Sequence, residues 1–397
     1  MKQLVLKISP IIKKLAEKRT LLFIWALIAI IAALAKMKPH AHNNYNIFRH
    51  VYYNTLNLQN LYLPSSDGSY DDLNHYGPFF SLIIAPFAIC PTWLGLILWC
   101  LSLTLFLFWS ISTSTLSIKQ QCFVYIFCAH ELLTALFMQQ FNIAIAAIII
   151  LAYIFVEKGK DWYATFFIII GTLVKLYGIV GLAFFPFSKH KYQYIASFLF
   201  WLAFLSLVPS TYSNFDYQLS QYIAWGQSLL EKNTENGTSL YQNISVYGMA
   251  HRISGKDFSD LWILLPAITL FALPYLRFKQ WSCTNFRRNI LASSLMFICL
   301  YSTGTESSGY IIALTGVAIW FCSSSWKRGI WDWSLLIFCF ILSSMSPSDI
   351  FPKYLREHWV LPYALKALPV FAIWLQLTIE LLLKSYYSDD YQLDKQK

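Results

Sequence analysis

A carboxylate near the far end of the chain stands between two apolar runs. Glu306 belongs to the polar stretch at residues 304–308, and the flanking runs 289–301 and 309–322 have the composition of membrane helices. A carboxylate at such a turn costs free energy unless water or a partner reaches it. Glu306 therefore marks a wet, polar face of a membrane protein.

A second set of acids comes just before the chain enters an apolar run. Asp72 lies six residues before Pro78, which places its carboxylate near the lipid surface. Activation of a hydroxyl as a nucleophile needs a positioned carboxylate or histidine, so Asp72 is the first candidate base and His75 the reserve. The alternative role for Asp72 is a helix N-cap or a solvated turn acid. Its neighbour Asp71 is interpreted as a solvated acid.

Two cations are candidates to hold a phosphate group. Lys175 interrupts an apolar stretch, and a lysine at membrane depth costs about 2.5–3.5 kcal/mol on insertion scales, so it usually has a partner. Arg252 ends a long polar segment, and its guanidinium fork suits phosphate oxygens. The alternatives are snorkelling or a structural ion pair for Lys175, and simple loop exposure for Arg252. The adjacent His251 is either a proton shuttle or a surface histidine.

Amide and aromatic side chains offer contacts to sugar hydroxyls. Gln140 and Asn142 lie in a short link between two apolar runs, where they either bind a sugar or cap helices. Asn44 belongs to a first polar loop rich in Asn and Tyr, a mixture found in carbohydrate sites and also in membrane-interface belts. The sequence contains no Walker loop, Rossmann glycine pattern, HExxH or GxSxG motif. It also lacks a DxD-like metal motif in a nucleotide-sugar context.

The composition requires that membrane helices position these residues. Of 397 residues, 57% are hydrophobic and 13% are charged, whereas a soluble domain has about 25% charged residues. Apolar runs well past ten residues without period-2 alternation predict helices rather than barrel strands. The net charge of +10 fits a positive-inside topology better than a nucleic-acid partner. We predict ten spans, at residues 20–36, 92–117, 122–138, 143–156, 193–211, 261–278, 289–302, 308–322, 330–346 and 366–384.

Two further apolar pieces do not fit as full spans. The piece 79–91 is too short and is bounded by prolines, and the piece 162–187 is interrupted by Lys175 and three glycines. We interpret the second piece as two half-helices that enter the membrane and return, with Lys175 at the break. Two short full spans are the alternative, and both interpretations leave an even number of crossings.

The distribution of positive charge sets the orientation. Segments assigned to the cytoplasm hold 20 of the 30 lysines and arginines, which supports cytoplasmic termini. We therefore divide the chain into a basic cytoplasmic leader (1–19), one transmembrane domain (20–384) and a cytoplasmic tail (385–397). The extracytoplasmic side then receives the loops 38–77, 212–260 and 347–365. The candidate residues Asp72, Gln140, Asn142, Lys175, Arg252 and Glu306 all face this one compartment.

Several short blocks, in this order, resemble glycosyltransferase family 87. The blocks are DLNHYGPFFSL at 72–82, QFN at 140–142, KLY at 175–177, NISVYGMAHR at 243–252, and ES at 306–307 followed by YIIA at 310–313. They match the family patterns D-L-x-x-Y-x-P-x-F-x-L, Q-x-N, K-x-Y, N-x-S-x-x-G-x-x-x-R and a late polar turn. The resemblance covers residues 40–384.

The resemblance implies a membrane enzyme of the GT-C type, a bundle of about 10–12 transmembrane helices with re-entrant half-helices and extracytoplasmic loops. Such an enzyme takes a hexosyl residue, often mannosyl, from a polyprenyl-phosphate sugar to a lipid or glycan hydroxyl by inverting single displacement. It is expected in the bacterial inner (cytoplasmic) membrane with an extracytoplasmic active site. Its partners are then the lipid-linked donor, the acceptor and membrane lipids, without nucleic acid, and the resemblance implies no metal or other cofactor.

The resemblance also implies roles for individual residues. Lys175 and Arg252 would hold the donor phosphate, and the sugar or acceptor would be bound by Asn44, His75, Gln140, Asn142, Tyr177, Asn243 and His251. In some members the presumed base is an aspartate at the start of the first loop, and the matching residue here is Asn44. An amide cannot take the proton, so we assign the catalytic role to Asp72 first and to Glu306 second. The family's glycine before Q-x-N is Gln139 here, and its proline after K-x-Y is Gly178.

Two other functions remain open at this stage. A transporter or flippase of lipid-linked sugars also needs a polar path between helices, although it would need deep charges on both sides of the membrane. A non-catalytic partner in envelope glycan assembly would explain why Asn44 replaces an aspartate. The outside-facing set of candidates favours the glycosyltransferase.

Overall fold

A computed structural model describes residues 17–38, 41–65, 68–237, 239–256 and 258–387. The regular structure in these ranges is helical, which confirms the predicted all-α polytopic membrane fold. Most of the predicted leader and of the predicted tail lies outside the described residues. We label the longer α-helices in chain order as α1 Lys18–Ala35, α2 Asn43–Leu56, α3 Phe80–Ala88, α4 Thr92–Thr113, α5 Ile118–Phe137, α6 Asn142–Glu157, α7 Asp161–Lys175, α8 Lys191–Leu207, α9 Phe215–Asn236, α10 Val246–Ser254, α11 Leu261–Ala272, α12 Thr284–Leu300, α13 Tyr310–Cys322, α14 Ile330–Phe338 and α15 Ala367–Leu383.

Each of the ten predicted spans coincides with one of these helices, extended in four cases by a 3₁₀ or π segment. By length and hydropathy alone, four continuous helical stretches in the described part of the chain could cross a membrane: Lys18–Ala35, Thr92–Thr113, Asp161–Phe187 and Lys191–Thr211. Other apolar helices, among them α6 and α15, are shorter. The predicted outer loops are also partly helical, because α2 lies in the first of them and α9 and α10 lie in the second.

The helices α6 and α13 form the centre of the bundle. Nearly every residue of both is buried, as expected for helices that are apolar all round. The helices α1 and α8, in contrast, expose large apolar side chains such as Phe23 and Phe204. In a membrane these side chains face lipid tails, which are as apolar as leucine. A polar residue at the end of α6 is therefore held by one of the most buried elements of the protein.

The segment predicted to enter and return forms a hairpin. The helix α7 ends at Lys175, and a 3₁₀ helix, Leu176–Phe187, runs back beside it. Ser188 Oγ donates to Asp161 Oδ2 over 2.9 Å, so the two ends of the hairpin meet. Gly171 and Gly178 allow the close approach near the tip, since a methyl group at Gly171 would lie 2.9 Å from Gly178 Cα. The continuous stretch that qualifies by length as one span is thus folded in two.

The two ends of the bundle differ in their charged side chains. At the end where Asp161 meets Ser188, Arg287 makes a two-pronged ion pair with Glu157 (2.6 and 2.8 Å), and Arg328 pairs with Glu380 at 2.7 Å. Both arginines belong to segments predicted to be cytoplasmic. The tip of the hairpin, with Lys175, lies at the opposite end together with the polar turn of Glu306.

Candidate functional site

Four side chains at this end form an unbroken hydrogen-bonded series, which we call the polar chain. Lys175 Nζ donates to Asn142 Oδ1 (2.8 Å), Asn142 Nδ2 donates to Gln140 Oε1 (2.8 Å), and Gln140 Nε2 donates to Glu306 Oε2 (2.7 Å). Ser308 supports the middle of the series, because its hydroxyl donates to Gln140 Oε1 over 3.1 Å. The polar chain links the hairpin tip, the α5–α6 link and the α12–α13 turn into one site.

The α5–α6 link is shaped by one residue in an unusual backbone conformation. Gln139 has a φ of +54°, in the left-handed region that favours glycine. A side-chain hydrogen bond offsets part of the cost of this backbone conformation, because Gln139 Oε1 accepts from the Tyr45 backbone N–H (3.2 Å). Its backbone oxygen accepts from Trp99 Nε1 at 2.7 Å. The glycine expected here by the resemblance is therefore replaced by a glutamine that ties the link to α2 and α4.

Lys175 sits at the C-terminus of α7, where a positive charge is favourable. The Tyr177 ring lies 4.8 Å from its ammonium and the Tyr76 ring 5.9 Å away, so two aromatic faces stabilise the charge. The hydrogen-bond partner of the ammonium is the neutral amide of Asn142. Among the described residues, no carboxylate lies within ion-pair distance of Lys175.

The turn that carries Glu306 is fixed from two sides. The Ile244 N–H donates to the Thr305 backbone oxygen over 2.8 Å. Lys366 Nζ donates to the Ser307 backbone oxygen (3.0 Å) and to its hydroxyl (2.9 Å). Lys366 is in turn paired with the buried Glu131 at 2.8 Å. Glu306 is therefore held between two anchored neighbours.

Asp72 and Asn44 lie beside Glu306, together with Gln140 and Gln242. We call these five residues the polar wall. Asp72 is exposed, and its Oδ1 accepts from the N–H of Leu73 over 2.8 Å. Asn44 lies near the start of α2, and its Nδ2 donates to the Met138 backbone oxygen at 2.7 Å. Although Asn44 cannot take a proton, it lies on the same wall as both candidate carboxylates.

Two cavities lie on either side of this wall. The first, about 580 Å³, contains Lys175, Tyr177 and His75. The second, about 720 Å³, extends towards Lys366 and the segment that precedes α15. Five residues line both cavities: Asn44, Asp72, Gln140, Gln242 and Glu306. A group bound in one cavity is thus separated from a group bound in the other only by the polar wall.

The first cavity contains two polar atoms without a partner. Asn236 Oδ1 and His75 Nε2 are buried and make no hydrogen bond to any described residue. The other ring nitrogen of His75, Nδ1, shares a hydrogen bond with Ser228 Oγ at 3.0 Å. Burial lowers the pKa of His75 from 6.5 to about 4, aided by the nearby Lys232. His75 is therefore uncharged near neutral pH, which makes it a hydrogen-bonding group rather than a cation.

Three predicted site residues lie apart from the polar chain. Arg252, His251 and Asn243 line a separate cavity of about 590 Å³. The guanidinium of Arg252 donates to the backbone oxygens of Ser239, Leu240, Gln242 and Leu361. His251 shares a hydrogen bond with Asp260 at 2.9 Å, and Asn243 Oδ1 accepts from Ser245 at 2.6 Å. The geometry does not bring the two predicted phosphate ligands together.

Sequence reasoning missed several residues of the site. Lys366 and Glu131 each carry a charge at or inside a predicted span, and a search for opposite charges in apolar runs would have selected them as a pair. Gln242 and Asn236 carried no such signal, because exposed loops and amphipathic helices commonly contain amides. Among the described residues, no group of three or more His, Cys, Asp or Glu side chains could hold a metal ion.

The model of glycosyltransferase family 87 matches residues 74–303. No curated protein matches the chain. The match includes the Q-x-N link, the hairpin tip and the Arg252 segment, and it ends at the turn that carries Glu306. Because the match covers more than half of the sequence, this chain belongs to glycosyltransferase family 87 and is a membrane glycosyltransferase.

Proposed function

We propose that this glycosyltransferase moves a hexosyl residue, such as mannosyl, from a polyprenyl-phosphate sugar to a hydroxyl group of a lipid or glycan acceptor. The reaction inverts the anomeric carbon by single displacement on the extracytoplasmic side of a bacterial inner membrane. The observation that carries the proposal is the polar chain, which has a half-buried ammonium at one end and a carboxylate at the other.

The donor phosphate binds at Lys175. The half-buried ammonium makes no ion pair with any described residue, so an anionic ligand beside it gains both attraction and charge-assisted hydrogen bonds. The Lys175 cavity also has an apolar side, which includes Leu176, Leu229 and Leu230. This combination of one cation and an apolar wall suits a phosphate attached to a lipid.

The sugar of the donor lies beside the unpartnered groups of the same cavity. Asn236 Oδ1 can accept a hydrogen bond from a sugar hydroxyl, and the neutral His75 ring can exchange one through Nε2. Tyr177, whose hydroxyl shares a hydrogen bond with Ser302 at 2.9 Å, adds a third polar contact. Binding of the sugar therefore satisfies atoms that are otherwise buried without partners.

Glu306 is the base in this proposal, and Asp72 is the second candidate. The Gln140 amide and the anchored neighbours of Glu306 hold its carboxylate in place, which favours it over the exposed Asp72. Both carboxylates line both cavities, so either one supplies the function that an aspartate at Asn44 would have had. With either carboxylate as the base, the presence of Asn44 in place of an aspartate is compatible with catalysis.

The proposed transfer needs only the donor, the acceptor and the side chains of the site. The acceptor oxygen forms a bond to the anomeric carbon while its proton passes to the Glu306 carboxylate. The bond between the anomeric carbon and the phosphate oxygen breaks, and its electron pair leaves with the polyprenyl phosphate. Lys175 stabilises the negative charge that gathers on that phosphate.

The test is the release of sugar from synthetic polyprenyl-phosphate-mannose by the purified protein in detergent. We expect turnover that Lys175→Ala abolishes and that Lys189→Ala, an exposed lysine at the opposite end, leaves intact. Glu306→Gln should lower kcat by about 10²–10⁴-fold. Full activity in both Glu306→Gln and Asp72→Asn would rule out the base assignment. Turnover independent of Lys175 would rule out the donor site.

A further inference from the structure

The second cavity has a different chemistry from the Lys175 cavity. Its lining is rich in hydroxyl and amide groups, including Ser239, Tyr241, Gln242, Ser308 and Ser346. Tyr241 is an exposed aromatic side chain on this lining. Amides, hydroxyls and an aromatic face are the groups that bind neutral, hydroxyl-bearing molecules, because each hydroxyl both donates and accepts a hydrogen bond.

The two cations of this cavity have partners of unequal strength, a buried carboxylate for Lys366 and a fully exposed one for Arg356. Lys366 is almost completely buried, and its ammonium is bound to Glu131 at 2.8 Å. Arg356 donates from Nη1 to Asp349 at 3.3 Å and to the Ser348 backbone oxygen at 3.1 Å. Neither group resembles Lys175, whose partner is a neutral amide.

Three carboxylates line the same cavity. Asp72 and Glu306 belong to the polar wall, and Glu357 also lines the cavity, 3.8 Å from the exposed Lys353. An exposed pair of this kind offsets little of the charge. The same holds for Arg356 and the exposed Asp349, so three carboxylates face one cation that is not neutralised. The cavity therefore keeps an excess of negative charge, and an anionic group entering it would be repelled.

We propose that the second cavity binds the acceptor and that this acceptor presents an uncharged glycan to the polar wall. The inference rests on the proposed function, since it assigns the donor to the Lys175 side. The acceptor hydroxyl then approaches Glu306 from the side opposite to the donor. A phosphorylated or carboxylated sugar is excluded at this position by Asp72, Glu306 and Glu357 together.

A matched pair of acceptors tests the inference. Octyl β-glucoside and octyl β-glucuronide differ only in the replacement of a hydroxymethyl group by a carboxylate. With polyprenyl-phosphate-mannose as donor, we expect kcat/KM for the glucoside to exceed that for the glucuronide by about tenfold or more, as charge repulsion at a few ångströms would give. Glu357→Gln should reduce this ratio, and Glu231→Gln, an exposed carboxylate outside the cavity, should leave it unchanged.

Each other outcome has a definite meaning. Equal or better use of the glucuronide would overturn the inference, and so would a ratio that does not respond to Glu357→Gln. Release of sugar into water, dependent on Lys175 but without transfer to either glycoside, would overturn the acceptor assignment and leave the donor proposal standing. Absence of Lys175-dependent release would overturn the proposed function itself.

Discussion

Lys366 joins two positions that are far apart in the sequence, because its ammonium lies 2.8 Å from Glu131 and also donates to the backbone oxygen and hydroxyl of Ser307. Ser307 follows Glu306 directly. The buried ion pair therefore anchors the turn that presents the candidate base. Removal of one partner leaves an uncompensated charge in the interior, which is much more costly than removal of both.

Lys366→Met should destabilise the protein by about 3–5 kcal/mol, the usual cost of breaking a buried pair. Thermal unfolding in detergent would measure the loss. The paired substitution Lys366→Met with Glu131→Gln should recover part of it, because no buried charge is then left alone. If Lys366→Met alone leaves the unfolding temperature unchanged, the pair is not buried in the protein as it exists in the membrane.

Gln140→Leu should lower kcat by about 100-fold with little change in stability, because a displaced catalytic group is costly even over small distances. The change removes the amide that holds Glu306 and the oxygen that accepts from Asn142. Steady-state kinetics with the lipid-linked donor would measure the effect. The exposed Gln227→Leu on α9 serves as the matched control.

A double substitution separates positioning from direct catalysis. If Gln140 acts through Glu306, the effects of Gln140→Leu and Glu306→Gln on kcat should be strongly non-additive. Additive effects would mean that Gln140 contacts the substrates independently of Glu306.

His75 should make the protein sensitive to acid. Burial holds its pKa near 4 in the folded state, below the 6.5 of an exposed histidine. Between these values the unfolded chain binds a proton that the folded chain does not, so the free energy of unfolding falls as the pH drops from about 6.5 to about 4. His75→Gln removes the titrating group and should reduce the loss of stability between pH 7 and pH 4.5. An identical loss in wild type and variant would show that His75 is accessible to protons in the folded state.

Gly178→Ala should open the hairpin that carries Lys175. A methyl group at this position would clash with the backbone of Gly171 and Thr172, at a cost of about 1–3 kcal/mol for overpacking. Gly226→Ala provides the control, since Gly226 lies within α9 and has open space where the methyl group would go. That control should be neutral or more stable by up to about 1 kcal/mol, because alanine favours helix. Donor affinity should fall in Gly178→Ala relative to the wild type, whereas Gly226→Ala serves as a control for stability alone, because Gly226 also lines the Lys175 cavity.

Hydropathy by itself determined the membrane class and the helical elements. The ten predicted spans correspond to ten helices because burial in lipid demands long apolar runs with internally satisfied backbone groups. The polar interruptions at Gln140, Lys175 and Glu306 were visible for the same reason, since each is costly in an apolar context. The order of short blocks also sufficed to predict the family, which the match to residues 74–303 confirms.

Only the tertiary structure decided which of these interruptions meet. Lys175 and Glu306 are joined through Asn142 and Gln140, whereas Arg252 binds backbone oxygens in a separate cavity. Sequence spacing cannot predict which kind of partner a side chain binds, because a loop arginine can reach either a ligand or a carbonyl group. The role of Lys366 was likewise decided by a contact across 235 residues with Glu131. Such long-range pairs depend on how the helices pack, and helix packing depends on the shapes of many side chains at once.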